Sequence, residues 1–323
     1  MLDASAELRH PHNDDHYWRE SLYFNLADPV NRLGLWLYVW TVPNQSLPAG
    51  ILVCLYSGQF DDRSITRQAM RSPRHVLRSG EDWIYCYMTS LPEQLAGDFD
   101  SIDIAGLQLT QVEALRRYAI DYDDGEGTAL HLDCDFVTPP WDYSDGPTPI
   151  PDWLATNRYH RAWRARGSAV VASSAEMIID ARGDSDHSWG RRDTLAFAKH
   201  NFKMWSFQSP DGRVAASAVK LGDDTFLGYL HSEGRSEAIR SIRDQASYST
   251  AGLQSDMKIE LTDSAGRRLT GYMPAMFAHI GYGGGRSDAS GYEGVGTFDV
   301  EAVGPCHGLT SFCWPHLPGG AVR

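Results

Sequence analysis

Apolar and polar residues alternate with a period of two along most of the chain, and turn-forming residues interrupt the alternation at short intervals. This pattern predicts strands. In "HYWRESLYFNL" it places Trp18, Leu22, Phe24 and Leu26 on one face. The chain then turns at "ADPVN" and returns as "RLGLWLYVWTV", which is apolar on both faces and therefore reads as a deeply buried partner strand. Three further hairpins follow from the same logic. "RRYAIDYD" joins "TALHLDCDFV" across "DGEG", "RVAASAVKL" joins "TFLGYLHSE" across "GDD", and "MKIELTD" joins "RRLTGYM" across "SAG". Helical spacing is confined to "EAIRSIRDQASY" and "SITRQAMRS", too little for a Rossmann fold or a (β/α) barrel. The expected fold class is all-β, as antiparallel barrels or sandwiches.

Between Thr138 and Trp153 the segment "TPPWDYSDGPTPIPDW" is too rich in Pro, Asp and Gly to continue a ladder. It predicts a connector near the middle of the chain, and hence two consecutive β domains, residues 1–165 and 166–323. No residue-level repeat between the halves is evident.

A net charge of −13 sets the average surface against nucleic acid and against anionic membranes. The opening "MLDASAELRHPHNDDHYW" has no apolar signal-type core, and no later run is long enough to span a bilayer, so no integral membrane contact and a cytoplasmic location are expected. Five cysteines without a CxxC pair fit that compartment as small buried hydrophobes. A homo-oligomer is left open.

Several motifs reduce to ordinary structure. "DYDDGEG" lacks EF-hand spacing and reads as a hairpin turn, and "GYGGGRSDASG" lacks the Gly-Lys-Ser/Thr of a phosphate cradle and reads as a flexible loop or lid. Cys306, His307, Cys313 and His316 are poorly spaced for zinc, and no nucleophile elbow is present. No metal and no cofactor are expected.

The stretch "GDSDHSWGRRD" is different. If it is extended, His187, Trp189 and Arg191 face one way and Asp186, Ser188 and Gly190 the other. An imidazole beside an indole could move a proton next to a π-face that stabilises a developing cation. The competing reading is a polar corner in which His187 and Trp189 are core residues and the charges are ion-paired. Glu20 shares the face of Trp18 and Leu22, where a carboxylate is costly unless paired or functional. An arginine partner would make it structural. The ten Trp and fifteen Tyr serve equally as core residues or as the lining of an aromatic cavity.

The hairpin "YWRESLYFNLADP", the mid-chain "YHRAWRARGS" and "GDSDHSWGRRD", with its Asp186, His187, Trp189 and Gly190, together resemble the lipocalin-like superfamily of hydroxyneurosporene synthase (carotenoid 1,2-hydratase) and its bacterial relatives. The resemblance spans most of the chain. It implies two consecutive calycin-type β domains and cofactor-independent chemistry such as hydration of an alkene or cyclisation. It carries over His187 and Trp189, with Asp186 in support. The family's downstream acidic and phenolic positions find no match here. The expected function is that of a hydratase, dehydratase or isomerase acting on an apolar terpenoid, steroid or aromatic molecule. His187 would be acid or base, Trp189 the cation shield, Asp186 the orienting group and Glu20 a second acid. A cyclase, or a non-catalytic carrier of hydrophobic ligands, is the alternative.

Overall fold

A computed structural model describes residues 2–60, 76–193, 199–248, 254–283 and 290–314. Within them the protein is all-β. The first sheet comprises β1 (Trp18–Asp28), β2 (Leu33–Thr41), β3 (Ala49–Phe60), β4 (Val76–Ser79), β5 (Asp82–Leu91), β6 (Ser101–Ile104), β7 (Leu107–Glu113), β8 (Arg117–Asp123), β9 (Ala129–Phe136), β10 (Trp141–Asp142), β11 (Asn157–Val170) and β12 (Met177–Arg191). Apart from the short β10, which also pairs with β11, its spatial order is β4-β5-β3-β2-β1-β12-β11-β9-β8-β7-β6. The sheet curls around one apolar core that includes Leu22, Phe24, Leu37, Tyr118, Ile120 and Trp163.

The second sheet comprises β13 (Phe202–Gln208), β14 (Ala215–Leu221), β15 (Thr225–Ser232), β16 (Arg235–Tyr248), β17 (Gln254–Asp263), β18 (Arg268–Met273), β19 (Met276–Gly283), β20 (Ser290–Val300) and β21 (Gly304–Trp314). The circuit β13-β14-β15-β16-β17-β18-β20-β21 returns to β13 and closes an eight-stranded antiparallel barrel. Trp205, Phe207, Ile259, Phe298 and Phe312 fill its interior. A closed eight-stranded barrel with further strands beside it fits the lipocalin-like architecture that the resemblance implies.

The hydrogen-bonded sheet changes between β12 and β13. Residues 165 and 166, where the sequence divides the chain, are consecutive members of β11, which pairs with both β9 and β12 at that point. The first sheet, an open barrel with its edges at β4 and β6 among the described residues, meets the second, closed barrel over a third apolar cluster containing Tyr23, Trp40, Cys54, Met204, Leu309 and Cys313. A parallel pairing of β19 with β3 also ties them together. Strands β1, β2, β11 and β12 are thus covered on both faces, one lining the first barrel and the other facing the second. That explains why "RLGLWLYVWTV" is apolar throughout.

One expectation is corrected. "EAIRSIRDQASY" is not a helix but most of β16. Its register shifts between Ile239 and Ser241, so the bulge lets Ile239 and Ile242, three residues apart, enter the same interior. A bulge of this kind changes the parity of the strand and imitates helical spacing. The other helical candidate, residues 64–72, lies outside the described residues. No helix among the described residues is long and apolar enough to cross a membrane. All five cysteines are buried and free.

Gly183 opens the motif stretch because β12 passes close to its neighbours there. A Cβ on it would lie 1.8 Å from the Asn25 carbonyl oxygen and 2.5 Å from the Trp163 indole nitrogen. Gly183→Ala is therefore expected to destabilise by about 1–3 kcal/mol, the usual cost of overpacking. A lower urea midpoint at unchanged slope would show it.

Candidate functional site

Residues 183–189 are extended within β12, before Gly190 turns to a positive φ, and the two faces of the motif separate as alternation requires up to that point. His187 and Trp189 point into the end of the first barrel. Asp186 points the opposite way, toward the second barrel. Cross-strand register puts Leu22 opposite His187 and Glu20 opposite Trp189.

Inside the first barrel, His187 Nε2 lies 2.9 Å from Glu20 Oε1, and His187 Nδ1 lies 3.3 Å from the Tyr159 hydroxyl. The Glu20 partner that the sequence left open is thus histidine rather than arginine. His10, from the segment preceding β1, brings Nδ1 to 2.7 Å and its backbone N–H to 3.0 Å from the same carboxylate. Its ring stacks on Trp189 at 3.8 Å between centroids. Burial pushes the Glu20 carboxyl upward, but hydrogen bonds from His10 and His187 outweigh it and hold the group below its ordinary range. Burial lowers His187 against the pull of Glu20. An ionised Glu20 only accepts, so His187 carries its proton on Nε2, and Nδ1 accepts from Tyr159.

His187 and Glu20 are 1% and 0% exposed. The preceding segment closes this end of the barrel. Arg9 donates to the Leu95 and Gly97 carbonyls. Glu7 pairs with Arg161 of β11. The donor atoms of His10, Glu20 and His187 lie within 4.8 Å of one another and could hold a divalent cation. In the present arrangement the carboxylate is already satisfied by both rings.

The opposite face of the same strands lines a cavity of about 210 Å³ between the barrels. On the side of the first barrel it is bordered by Arg19 and Tyr23 of β1, Trp36 and Tyr38 of β2, Arg158 of β11, Asp186 of β12 and the following Arg192. The second barrel contributes Phe202, Met204, Glu293 and Ser311. Arg158 Nη2 donates to Asp186 Oδ2 at 2.7 Å, and Arg158 Nε donates to His160 Nε2 at 2.8 Å. That second bond leaves the His160 proton on Nδ1, 2.6 Å from Asp184 Oδ2. Burial holds His160 neutral, pushed down to about 3. The chain Asp184–His160–Arg158–Asp186 fixes the orientation of Asp186.

Two groups in this cavity are electrostatically unusual. Glu293 is 3% exposed. Burial raises its carboxyl to about 8, against weak help from Ser311 and Tyr23, whose hydroxyls lie 3.3 and 3.4 Å from Oε1. Its Oε2 has no hydrogen-bond partner among the described residues. Glu293 therefore carries a proton at neutral pH. Burial also raises Tyr38, but Arg19 and Arg192 outweigh it and lower the phenol. Arg192 donates to the Tyr38 hydroxyl at 3.0 Å, and that hydroxyl donates to Ser21 at 2.9 Å. The Arg19 guanidinium carbon sits 5.0 Å from the Tyr38 ring centroid.

The four residues singled out in the sequence thus divide between two places. Glu20, His187 and Trp189 come together in a closed pocket, and Asp186 lies in the cavity behind it. Sequence reasoning missed Arg19, Tyr38, Arg158 and Glu293. Glu293 carries the signal that drew attention to Glu20, a lone carboxylate in an apolar strand, here "GYEGVGTF".

A search of curated proteins by sequence returns no match. Among solved structures the chain is similar to an AttH-like protein of Nitrosomonas europaea, with TM-score 0.54, 12% identity, and 94% of this chain and 93% of that one covered. It is similar to kievitone hydratase of Nectria haematococca, with TM-score 0.51, 8% identity and coverages of 92% and 88%. CghA matches with TM-score 0.53, 11% identity and coverages of 91% and 87%. At these identities the likeness shows the shared lipocalin-like fold. A family model described as a domain of unknown function, DUF7064, matches residues 3–280, and the chain belongs to that family.

Proposed function

We propose that the protein is a cofactor-independent acid–base enzyme of the hydratase or dehydratase type, acting on a small, largely apolar molecule in the cavity between the barrels. The observation that carries this reading is Glu293, a carboxylic acid that keeps its proton at neutral pH beside a cavity holding a second, arginine-paired carboxylate. Paired carboxyl groups in such different surroundings divide into acid and base. In hydration, Glu293 gives its proton to one alkene carbon, water adds to the cation so formed, and Asp186 takes a proton from that water. Dehydration is the reverse. Trp36, Tyr38 and Phe202 offer π-faces to the cationic stage. The same proton donor would serve a cyclisation, in which an internal alkene replaces water.

Two of the structural neighbours, kievitone hydratase and CghA, share the fold, and the name of the first denotes a hydratase. In this reading His187, Glu20 and Trp189 are positioning residues. They lock β1 and β12 from the opposite face and so fix Arg19, Tyr23 and Asp186.

Incubation in D2O with a panel of alkenes and tertiary or allylic alcohols, without added cofactor, tests the reading. Mass spectrometry is expected to show gain or loss of one water and deuterium bound to carbon. Tight binding with no exchange and no mass change across the panel would instead make the protein a carrier.

A further inference from the structure

Guanidinium groups outnumber carboxyl groups in the lining of the cavity between the barrels. Three guanidinium groups line it, from Arg19, Arg158 and Arg192. Of its two carboxyl groups, Asp186 is engaged by Arg158, and Glu293 keeps its proton. Arg19 makes no ion pair among the described residues, and its buried Nε has no hydrogen-bond partner. It is held over the rings of Tyr38 and Trp40, 5.0 and 5.4 Å from their centroids. A buried N–H donor without an acceptor costs stability, so its retention beside a cavity points to an acceptor that arrives with the ligand. The rest of the lining fits this, because it includes the apolar Trp36, Leu154, Phe202 and Met204 beside Glu293 and Ser311.

We infer that the ligand of this cavity is an organic anion, a flat apolar body bearing one carboxylate or equally delocalised oxyanion, and that Arg19 with Arg192 receives its charged end. The inference rests on the reading of the cavity as the active site and adds the substrate class to it. The volume of about 210 Å³ equals that of about seven waters at ~30 Å³ each, enough for a body of two fused rings. The protein as a whole carries a net charge of −13, which repels anions, so a preference for an anion would have to arise inside the cavity. A guanidinium bound to a delocalised oxyanion is among the stronger polar contacts available.

The test compares 2-naphthoate with 2-naphthylmethanol, probes of similar shape that differ in charge, by titration calorimetry and tryptophan quenching at neutral pH. Naphthoate is expected to bind about tenfold or more tighter, the range for a hydrogen bond to a charged group. Arg19→Gln is expected to reduce the ratio to near one, with naphthoate losing more affinity than the alcohol. Equal affinities in the wild type would overturn the anion assignment and leave the cavity reading standing. Binding of neither probe would count against both. A preference that survives in folded Arg19→Gln would remove Arg19 as the anchor. If that variant fails to fold, the wild-type comparison and Arg192→Gln decide.

Discussion

Glu293→Gln is expected to lower turnover by about 10²–10⁴-fold, the usual loss when a general acid is removed, while the protein stays folded. The amide keeps the shape of the side chain and an oxygen able to accept from Ser311 and Tyr23, but it has no proton to give. The fold has little reason to suffer. Glu293 makes no ion pair among the described residues, and the group it loses is a carboxyl that burial already disfavours in its charged form. A variant retaining more than a third or so of wild-type turnover would move the acid elsewhere in the cavity.

The same substitution changes how stability responds to pH. The Glu293 carboxyl is raised from 4.5 to about 8 in the folded protein. Between those values the unfolded chain has released the proton and the folded chain still holds it. The native state therefore binds more protons, and stability falls as pH rises through this window before levelling off above about 8. At ~1.4 kcal/mol per pKa unit the decline is on the order of a few kcal/mol. In Glu293→Gln this contribution is absent, so the variant should match the wild type near pH 4 and exceed it at pH 8. Denaturant midpoints at the two pH values measure it. Parallel behaviour of the two proteins would mean that Glu293 is ionised as usual.

The strands were legible because their periodicity is local. Each hairpin read from the sequence is a hairpin in the structure, since turn residues such as "DGEG" and "GDD" act within a few positions. The separation of Asp186 from His187 and Trp189 was legible for the same reason, as alternation needs no partner. What the second face of a strand packs against is not local information. Arg19 looks like a solvent-facing position until the second barrel covers it, and Glu293 lies about 270 positions from the strand whose Tyr23 it meets. His10 escaped notice because it belongs to an irregular segment with no period to place it, although it satisfies Glu20 directly. The bulge in β16 shows the opposite failure, where a local irregularity imitated another period.

Arg161→Met is expected to cost about 3–5 kcal/mol of stability, the cost of leaving one member of a buried ion pair alone. Arg161 is 1% exposed and Glu7 is 0% exposed. The guanidinium lies 3.5 Å from the centroid of the Phe136 ring and pairs with the Glu7 carboxylate. Glu7 also accepts from Gln111 Nε2 at 2.6 Å and from the Tyr118 hydroxyl at 3.2 Å. These neutral donors cannot replace the lost positive charge in so dry a place. The unpaired carboxylate must then either take up a proton or withdraw, and withdrawal lifts the segment that carries His10 over Glu20 and Trp189. Adding Glu7→Gln to Arg161→Met should recover most of the stability, because the penalty belongs to the orphaned charge and not to a lost attraction. Thermal melts of the single and double variants decide it. A cost below about 1 kcal/mol, or a double variant no better than the single one, would show that the pair does not close the barrel. Arg161 faces the interior of the first barrel, and Arg158 on the same strand faces the cavity. At a temperature well below melting, Arg161→Met should therefore turn over substrate near the wild-type rate. Loss of turnover in a folded Arg161→Met would place the chemistry in the closed pocket around His187 instead.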